Sequence, residues 1–137
     1  MSAPAVAPVT RLIDQPRVDA YAIAAHDPNP IHTDAAFAAT TPFGKPIAHG
    51  MLVLALVSEA MAGAFAERWA QSGTLNVRWR APAIPPVTVT ARASLKSDLD
   101  GLATYDVVCE DAAGGVLLTG TASARYAEAS AGAAASA

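Results

Sequence analysis

The segment from Met51 to Val57 is apolar at every position, and it constrains the fold of this chain more than any other feature. A helix formed from such a run has no polar face, so its first two turns must be enclosed on all sides. Charged residues return only later, at Glu59, Glu67 and Arg68. The run is too short to span a membrane, which takes about 20 apolar residues. We therefore expect one long helix over residues 49–70, buried at its beginning and amphipathic at its end.

The second half of the chain has the two-residue period of half-buried strands. Asp100-Gly101 and the segment 111–115 are turn sequences, short enough to join neighbouring strands as antiparallel hairpins. One buried helix followed by such strands predicts an α+β fold in which the helix covers one face of an antiparallel sheet. The alternating patterns that predict the strands occupy residues 75–80, 87–95, 102–110 and 116–126.

Two short helices are expected before the long one. Val18 and Tyr21 begin an apolar i, i+3, i+4, i+7 pattern after Pro16, and a second short helix is predicted within residues 31–40. Prolines separate these helices, because they remove backbone donors and favour extended neighbours. The Pro- and Ala-rich termini, residues 1–10 and 127–137, are expected to be flexible, which leaves residues 11–126 as a single domain.

Composition narrows the classes of function. Hydrophobic residues make up 53% of the 137 positions and charged residues 15%, below the usual value of about 25%, which suggests further apolar surface buried between subunits. A net charge of -3 leaves no basic field, so nucleic-acid binding is not expected. Cys109 cannot form an internal disulfide and is interpreted as a small core residue. Without a secretion signal or a membrane span, the chain is expected in the cytoplasm.

Asp27 and His32 stand on either side of Pro28-Asn29-Pro30-Ile31, where the prolines restrict the backbone. A carboxylate and an imidazole on two sides of a water molecule are what acid–base addition of water to a double bond requires. His49-Gly50 begins the buried helix, where unpaired N–H groups point outward. Because Gly50 has no side chain, a substrate carbonyl could approach its N–H closely, which outlines an oxyanion site.

Residues 21–32, which contain Asp27, Asn29-Pro30 and His32, resemble the D-x-N-P-x-H motif of the MaoC-like, R-specific enoyl-CoA hydratase family. The similarity continues to His49-Gly50-Met51-Leu52, over about a quarter of the chain, and such a long motif is a specific signal. Residues 77–82 also resemble the first strand that follows the helix in this family. The resemblance implies a single hot-dog domain, a long helix wrapped by an antiparallel sheet, which dimerises through that sheet.

The same resemblance implies a hydro-lyase that hydrates trans-2-enoyl thioesters of coenzyme A or acyl carrier protein to (R)-3-hydroxyacyl thioesters, or catalyses the reverse dehydration. Asp27 and His32 would activate the water, and Asn29 would orient the pair. The Gly50 N–H would polarise the thioester carbonyl. Ser58 matches a small polar position near the acyl pocket. No metal and no redox cofactor is expected, since acid–base residues and backbone dipoles suffice.

Other interpretations of these residues stay open. His49 is interpreted mainly as a structural hydrogen-bonding residue, with substrate binding as the alternative. Arg78 and Arg80, which alternate on a strand with Trp79 between them, either form a solvated face or bind the phosphates of the substrate carrier. Asp27 could cap the helix that begins near Pro30, with His32 a core histidine. A metal site formed by His26, Asp27, His32 and Asp34 fits no familiar spacing of ligands.

The chain departs from the family pattern at three places. Its opening strand is short, residues 10–13, a Pro-Pro sequence at residues 84–87 replaces a Pro-Gly-Asp turn, and His26 stands where glycine is frequent. These changes affect the substrate range more than the reaction. A homodimer, or a dimer of dimers, is expected, and the alternatives are half of a heterodimeric dehydratase or an acyl-binding subunit. A hot-dog thioesterase is a weaker alternative, because that class does not use the motif.

Overall fold

The computed structural model describes residues 2–130, within which the chain forms five helices and five strands. One strand comes first, all five helices follow it, and the remaining four strands complete the chain. Their bounds are β1 Val9–Ile13, α1 Gln15–Ala24, α2 Pro30–Thr33, α3 Ala35–Ala38, α4 Gly50–Phe65, α5 Glu67–Ser72, β2 Thr74–Trp79, β3 Val87–Leu99, β4 Leu102–Asp111 and β5 Val116–Arg125.

The strands form one antiparallel sheet in the order β1-β3-β4-β5-β2. Asp100 and Gly101 join β3 to β4 with φ angles of 52° and 80°, as a two-residue turn between twisted strands requires. The prediction of four antiparallel strands after the helix is confirmed. A fifth strand, β1, pairs with β3 so that Val9 lies opposite Ala91.

The core lies between α4 and the inner face of the sheet. Val53, Val57 and Met61 of α4 are almost fully buried there, and each such side chain contributes about 1.5–3 kcal/mol relative to an exposed one. The predicted enclosure of α4 on every side is wrong for this chain, because Met51 is 57% exposed and Ala55 is also exposed. The sheet packs against the other faces of the helix and leaves this stripe open.

Two predicted helices are each divided into two. The expected helix at 49–70 stops at Ala66, which adopts φ 52° and ψ -131°, and α5 starts after it. The helix expected within residues 31–40 becomes the single turns α2 and α3, because the Asp34 side chain accepts a hydrogen bond from the Phe37 N–H and starts a new helix. The helix after Pro16 is confirmed as α1. Within residues 2–130, no helix combines the length and apolarity needed to cross a membrane.

The N-terminal residues are more ordered than their composition indicated. Ala3 and Val6 pack against the core, and the Tyr105 hydroxyl donates a hydrogen bond of 2.5 Å to the Pro4 carbonyl. Val9 and the next residue belong to β1, so the expectation that residues 1–10 carry no structure is corrected. Of the predicted C-terminal tail, residues 131–137 lie outside the described residues.

Candidate active site

Asp27 is positioned by the way in which α1 ends. The N–H of Asp27 bonds the Ala22 carbonyl at 2.9 Å, and the N–H of His26 bonds the Ile23 carbonyl at 3.2 Å. These two bonds form a Schellman motif, whose linking residue adopts a left-handed conformation that favours glycine. His26 occupies this position with φ 54°. This left-handed conformation explains why glycine is frequent at this position of the family pattern. In this chain His26 adopts the same conformation.

His32 is positioned by a capped single-turn helix. The Asn29 side chain accepts a hydrogen bond of 3.1 Å from the Ile31 N–H, and Pro30 occupies the first turn of α2, which is the position that proline favours. Asn29 therefore caps α2, and the alternative in which Asp27 caps this helix is wrong. Among residues 2–130, the Asp27 carboxylate accepts only one long hydrogen bond, of 3.5 Å from the Asn29 N–H, and the residue is exposed.

The His32 ring is held by a backbone carbonyl. Its Nδ1 lies 2.8 Å from the oxygen of Ile47. A carbonyl oxygen only accepts hydrogen bonds, so Nδ1–H donates and the neutral ring has its lone pair on Nε2. A lone pair in this place equips His32 to accept a proton from water.

His49 lies behind this pair and is 2% exposed. Its Nε2–H donates to the Asp27 carbonyl oxygen at 3.1 Å. Its ring stacks on the His32 ring at a centroid distance of 3.7 Å, and the Tyr21 ring meets it edge-on at 4.8 Å. The Nδ1 atom of His49 is buried and has no hydrogen-bond partner among residues 2–130. The Tyr21 contact was not predicted, and nothing local in the sequence signals it.

Asp27, His32 and His49 offer ligand atoms that lie within 4.8 Å of one another. The two predicted catalytic side chains are thus brought together, whereas Asp34 serves as the cap of α3. Stacked imidazoles are poorly arranged for a shared metal ion, because their lone pairs lie in two nearly parallel planes, 25° apart. The arrangement suits a carboxylate and an imidazole that share a water molecule, and the absence of a metal requirement stays a prediction.

The N-terminus of α4 has no side-chain cap. His49 occupies the cap position without a side-chain hydrogen bond to the helix, so the first N–H groups stay available to a ligand. The Trp79 indole N–H donates to the Gly50 carbonyl at 2.9 Å, and a Cβ on Gly50 would lie 2.8 Å from that nitrogen. Gly50 is therefore also required by the packing of Trp79, a contact that sequence analysis missed.

A groove runs between α1 and α4 beside this cluster. It encloses about 420 Å³, and Tyr21, which touches His49, forms part of its wall. The side chains of Arg11 and Glu59, which form an ion pair, also border it. The other lining residues are mostly small or apolar: Arg17, Ala20, Ala24, Leu52, Ala55 and Leu56.

The structure does not bring Ser58, Arg78 or Arg80 to this cluster. Ser58 accepts a hydrogen bond of 2.8 Å from the Trp69 indole and does not line the groove. Arg78 and Arg80 flank Trp79, whose ring packs on α4, so they lie on the opposite face of the sheet. There they line a separate surface cavity of about 250 Å³. Their roles in substrate binding stay predictions.

The family model described as MaoC like domain matches residues 3–114. This chain belongs to the MaoC-like domain family. A curated (R)-specific enoyl-CoA hydratase from Aeromonas caviae is 56% identical over 41 residues, which are 30% of this chain and 31% of that protein. The sequence match therefore spans less than a third of that relative.

Solved structures confirm the hot-dog fold expected from the resemblance. The (R)-hydratase from A. caviae involved in PHA biosynthesis superposes with a TM-score of 0.77 and 26% identity, over 91% of this chain and 96% of that one. The R-hydratase PhaJ1 from Pseudomonas aeruginosa gives 0.79 and 26%, over 91% and 81%. The ChsH1-ChsH2 complex from Mycobacterium tuberculosis gives 0.77 at 19% identity, over 91% and 97%, which supports the fold alone.

Proposed function

We propose that this protein adds water across the double bond of a trans-2-enoyl thioester, giving the (R)-3-hydroxyacyl thioester, and catalyses the reverse dehydration. The observation that carries the proposal is the pairing of Asp27 and His32 beside an uncapped helix N-terminus. The similarity to (R)-specific hydratases supports the substrate class and the stereochemistry.

In the proposed reaction, Asp27 and His32 hold one water molecule. As the water oxygen bonds to C3, one member of the pair removes a water proton, and a proton is delivered to C2 so that the elements of water are added. The Nε2 lone pair of His32, which its Nδ1 contact with Ile47 leaves free, supports a role in this transfer. The pair needs no net change in charge over a full cycle, because one proton is taken and one is returned.

Negative charge develops on the thioester oxygen while C3 is attacked. The N–H of Gly50, at the beginning of α4, is proposed to donate to that oxygen, and the dipole of this sixteen-residue helix adds to the stabilisation. Loss of a single donor of this kind costs about 10²–10³ in kcat. The acyl chain is proposed to lie in the groove between α1 and α4, whose apolar walls suit a hydrocarbon chain.

The test is hydration of crotonyl-CoA. The reaction is measured by the loss of the enoyl-thioester absorbance, and its stereochemistry by chiral analysis of the product. Asp27→Asn and His32→Ala should each lower turnover by about 10²–10⁴, the usual contribution of an acid or base. Asp106→Asn is the matched control, because Asp106 lies on β4 and its carboxylate forms an exposed ion pair with Lys96 at 3.9 Å. Full activity of both site variants, or formation of free thiol, would overturn the proposal.

We further propose that two copies join through β2. This strand lies at the end of the sheet and pairs with β5 on one side only among the described residues, and Leu75 and Trp79 on it are 36% and 49% exposed. Such an edge accepts another strand. Light scattering of the purified protein should give twice the mass of a single chain. An inactive monomer would instead favour a heterodimeric partner.

A further inference from the structure

One buried ring contacts both members of the proposed catalytic pair. His49 bonds the main chain of Asp27 through Nε2 and stacks on the ring of His32, while Tyr21 closes its other side. These contacts join the beginning of α4 to α1, to α2 and to the loop between those two helices. Because His49 is only 2% exposed, its ring is poorly placed to touch a substrate.

The contacts of His49 restrict different motions. The hydrogen bond acts on the carbonyl of Asp27 and therefore fixes the backbone from which the carboxylate extends. The stacking contact fixes the plane of the His32 ring, whose Nδ1 is already held by the Ile47 carbonyl. With one nitrogen bonded and one face covered, His32 retains a single orientation for Nε2. Catalytic groups act only when they are held within a fraction of an ångström of their productive positions.

The hydrogen bonds of His49 also define where its proton lies. Since Nε2–H donates to a carbonyl, a second proton would sit on Nδ1, which is buried and has no partner among residues 2–130. A buried N–H without an acceptor is costly, so these contacts favour the tautomer of His49 that carries its proton on Nε2.

We propose that His49 is a positioning residue, which sets the relative geometry of Asp27 and His32 and does not contact the substrate. This inference rests on the proposed hydratase function, and it assigns to His49 a role other than the substrate binding expected as one alternative from the sequence. The two contacts act on different partners, so they can be removed separately.

Two substitutions divide the contacts of His49. His49→Phe keeps a flat ring for stacking but removes the donor to Asp27, whereas His49→Gln keeps a donor but removes the ring. Each variant should lower kcat by about tenfold to 10²-fold with KM changed less than about threefold, because misplacement by about 1 Å has effects of this size. Unchanged kcat in both folded variants would overturn the inference.

Loss of stability alone must be separated from loss of positioning. Phe65→Leu provides the matched control, because Phe65 is 5% exposed at the opposite end of α4 and packs edge-on against Tyr105. This variant should lose as much thermal stability as the His49 variants while its kcat stays within about twofold. If kcat falls equally in Phe65→Leu, the effect of His49 is structural and the inference fails.

A second readout does not need turnover. Nitrogen NMR of the imidazoles should report Nδ1–H for His32 and Nε2–H for His49 in the wild type, as the two carbonyl contacts require. In His49→Gln, the His32 signals should broaden, because the ring loses the face contact that limits its orientation and is then held at Nδ1 alone. If the wild type lacks hydratase activity, this broadening still supports positioning, although the proposed function fails. His32 signals that are the same in wild type and both variants overturn the inference.

Discussion

The N-termini of α2 and α4 both contribute to the candidate site, but they are completed in different ways. In α2 the Asn29 side chain accepts a hydrogen bond from the Ile31 N–H at 3.1 Å. In α4 the cap residue, His49, makes no such bond, since its ring is directed to the Asp27 carbonyl. Like α2 and unlike α4, helices α1 and α3 have side-chain caps. Asp14 and Asp34 accept hydrogen bonds of 3.0 and 3.1 Å from N–H groups in the first turns of these helices.

The difference in capping exchanges helix stability for the capacity of the helix N-terminus to bind a ligand. A side-chain cap contributes about 1 kcal/mol to the helix it begins, and α4 forgoes that contribution. Burial of its apolar residues, such as Val53 and Val57, offsets the loss. The N–H groups that a cap would occupy then stay available, and the N-terminus of a helix attracts negative charge. The uncapped end is therefore the one suited to a developing oxyanion.

The largest effect is expected when the open N-terminus of α4 is blocked. In Gly50→Ala the new methyl would lie 2.8 Å from the Trp79 indole nitrogen, so the indole must shift and the approach to the N–H narrows. Turnover of crotonyl-CoA should fall by about 10². Gly63→Ala on the same helix meets nothing within 4 Å, so it should keep full activity and stabilise the protein by about 0.5–1 kcal/mol. Equal activity of the two variants would contradict an oxyanion site at Gly50.

A smaller effect is expected when the capped N-terminus of α2 is opened. Asn29→Ala removes the bond to Ile31 and should lower the free energy of unfolding by about 1 kcal/mol. Because α2 carries His32, turnover should also fall, by about tenfold. Asp34→Ala removes the equivalent cap of α3 and should have the same effect in urea unfolding without the loss of turnover. If both variants retain activity, Asn29 acts on stability alone.

A still smaller change, of opposite sign, is expected at the link between α1 and Asp27. His26→Gly relieves a left-handed residue with φ 54°, which costs about 1–2 kcal/mol, although the greater freedom of glycine in the unfolded chain removes about 0.5–1 kcal/mol of the gain. The net stabilisation should be at most about 1 kcal/mol, measured by urea unfolding. Ala66→Gly, with φ 52° and ψ -131° and outside the site, should stabilise at least as much, because this conformation is more restricted to glycine. Destabilisation by His26→Gly alone would reveal a contact made by the His26 ring.

The features that could be predicted from the sequence are formed by residues that lie close together along the chain. Asp27 and His32 belong to one short segment, and the alternation along β3 and β4 records one face of a sheet, so both are visible locally. The contacts of His49 with Tyr21 and of Gly50 with Trp79 join residues 28 and 29 positions apart, and no local pattern encodes them. Likewise, nothing local predicts the break at Ala66, because alanine is the strongest helix former.

An effect that is absent at neutral pH is expected on the closed side of the first turns of α4. There the Cys109 thiol faces the Val53 carbonyl at 3.7 Å, and burial raises the pKa of this thiol from its ordinary 9.0 to about 11. Below pH 9 the thiol keeps its proton in both the folded and the unfolded chain, so its ionisation does not change the free energy of unfolding with pH. Between pH 9 and pH 11 the unfolded chain releases the proton first, and the free energy of unfolding should fall.

Urea unfolding of the wild type and Cys109→Ala across this range isolates the contribution of the thiol. Burial, together with Asp98, also raises the pKa of Tyr105 above 10.0, so both proteins should lose stability at high pH, and the wild type more steeply. The folded wild type should also resist thiol reagents at about pH 8, where thiolate is the reactive form. Rapid modification of Cys109 at this pH would show that reagents also reach the buried face of α4. The contrast between this closed face and the open N-terminus of α4 would then fail.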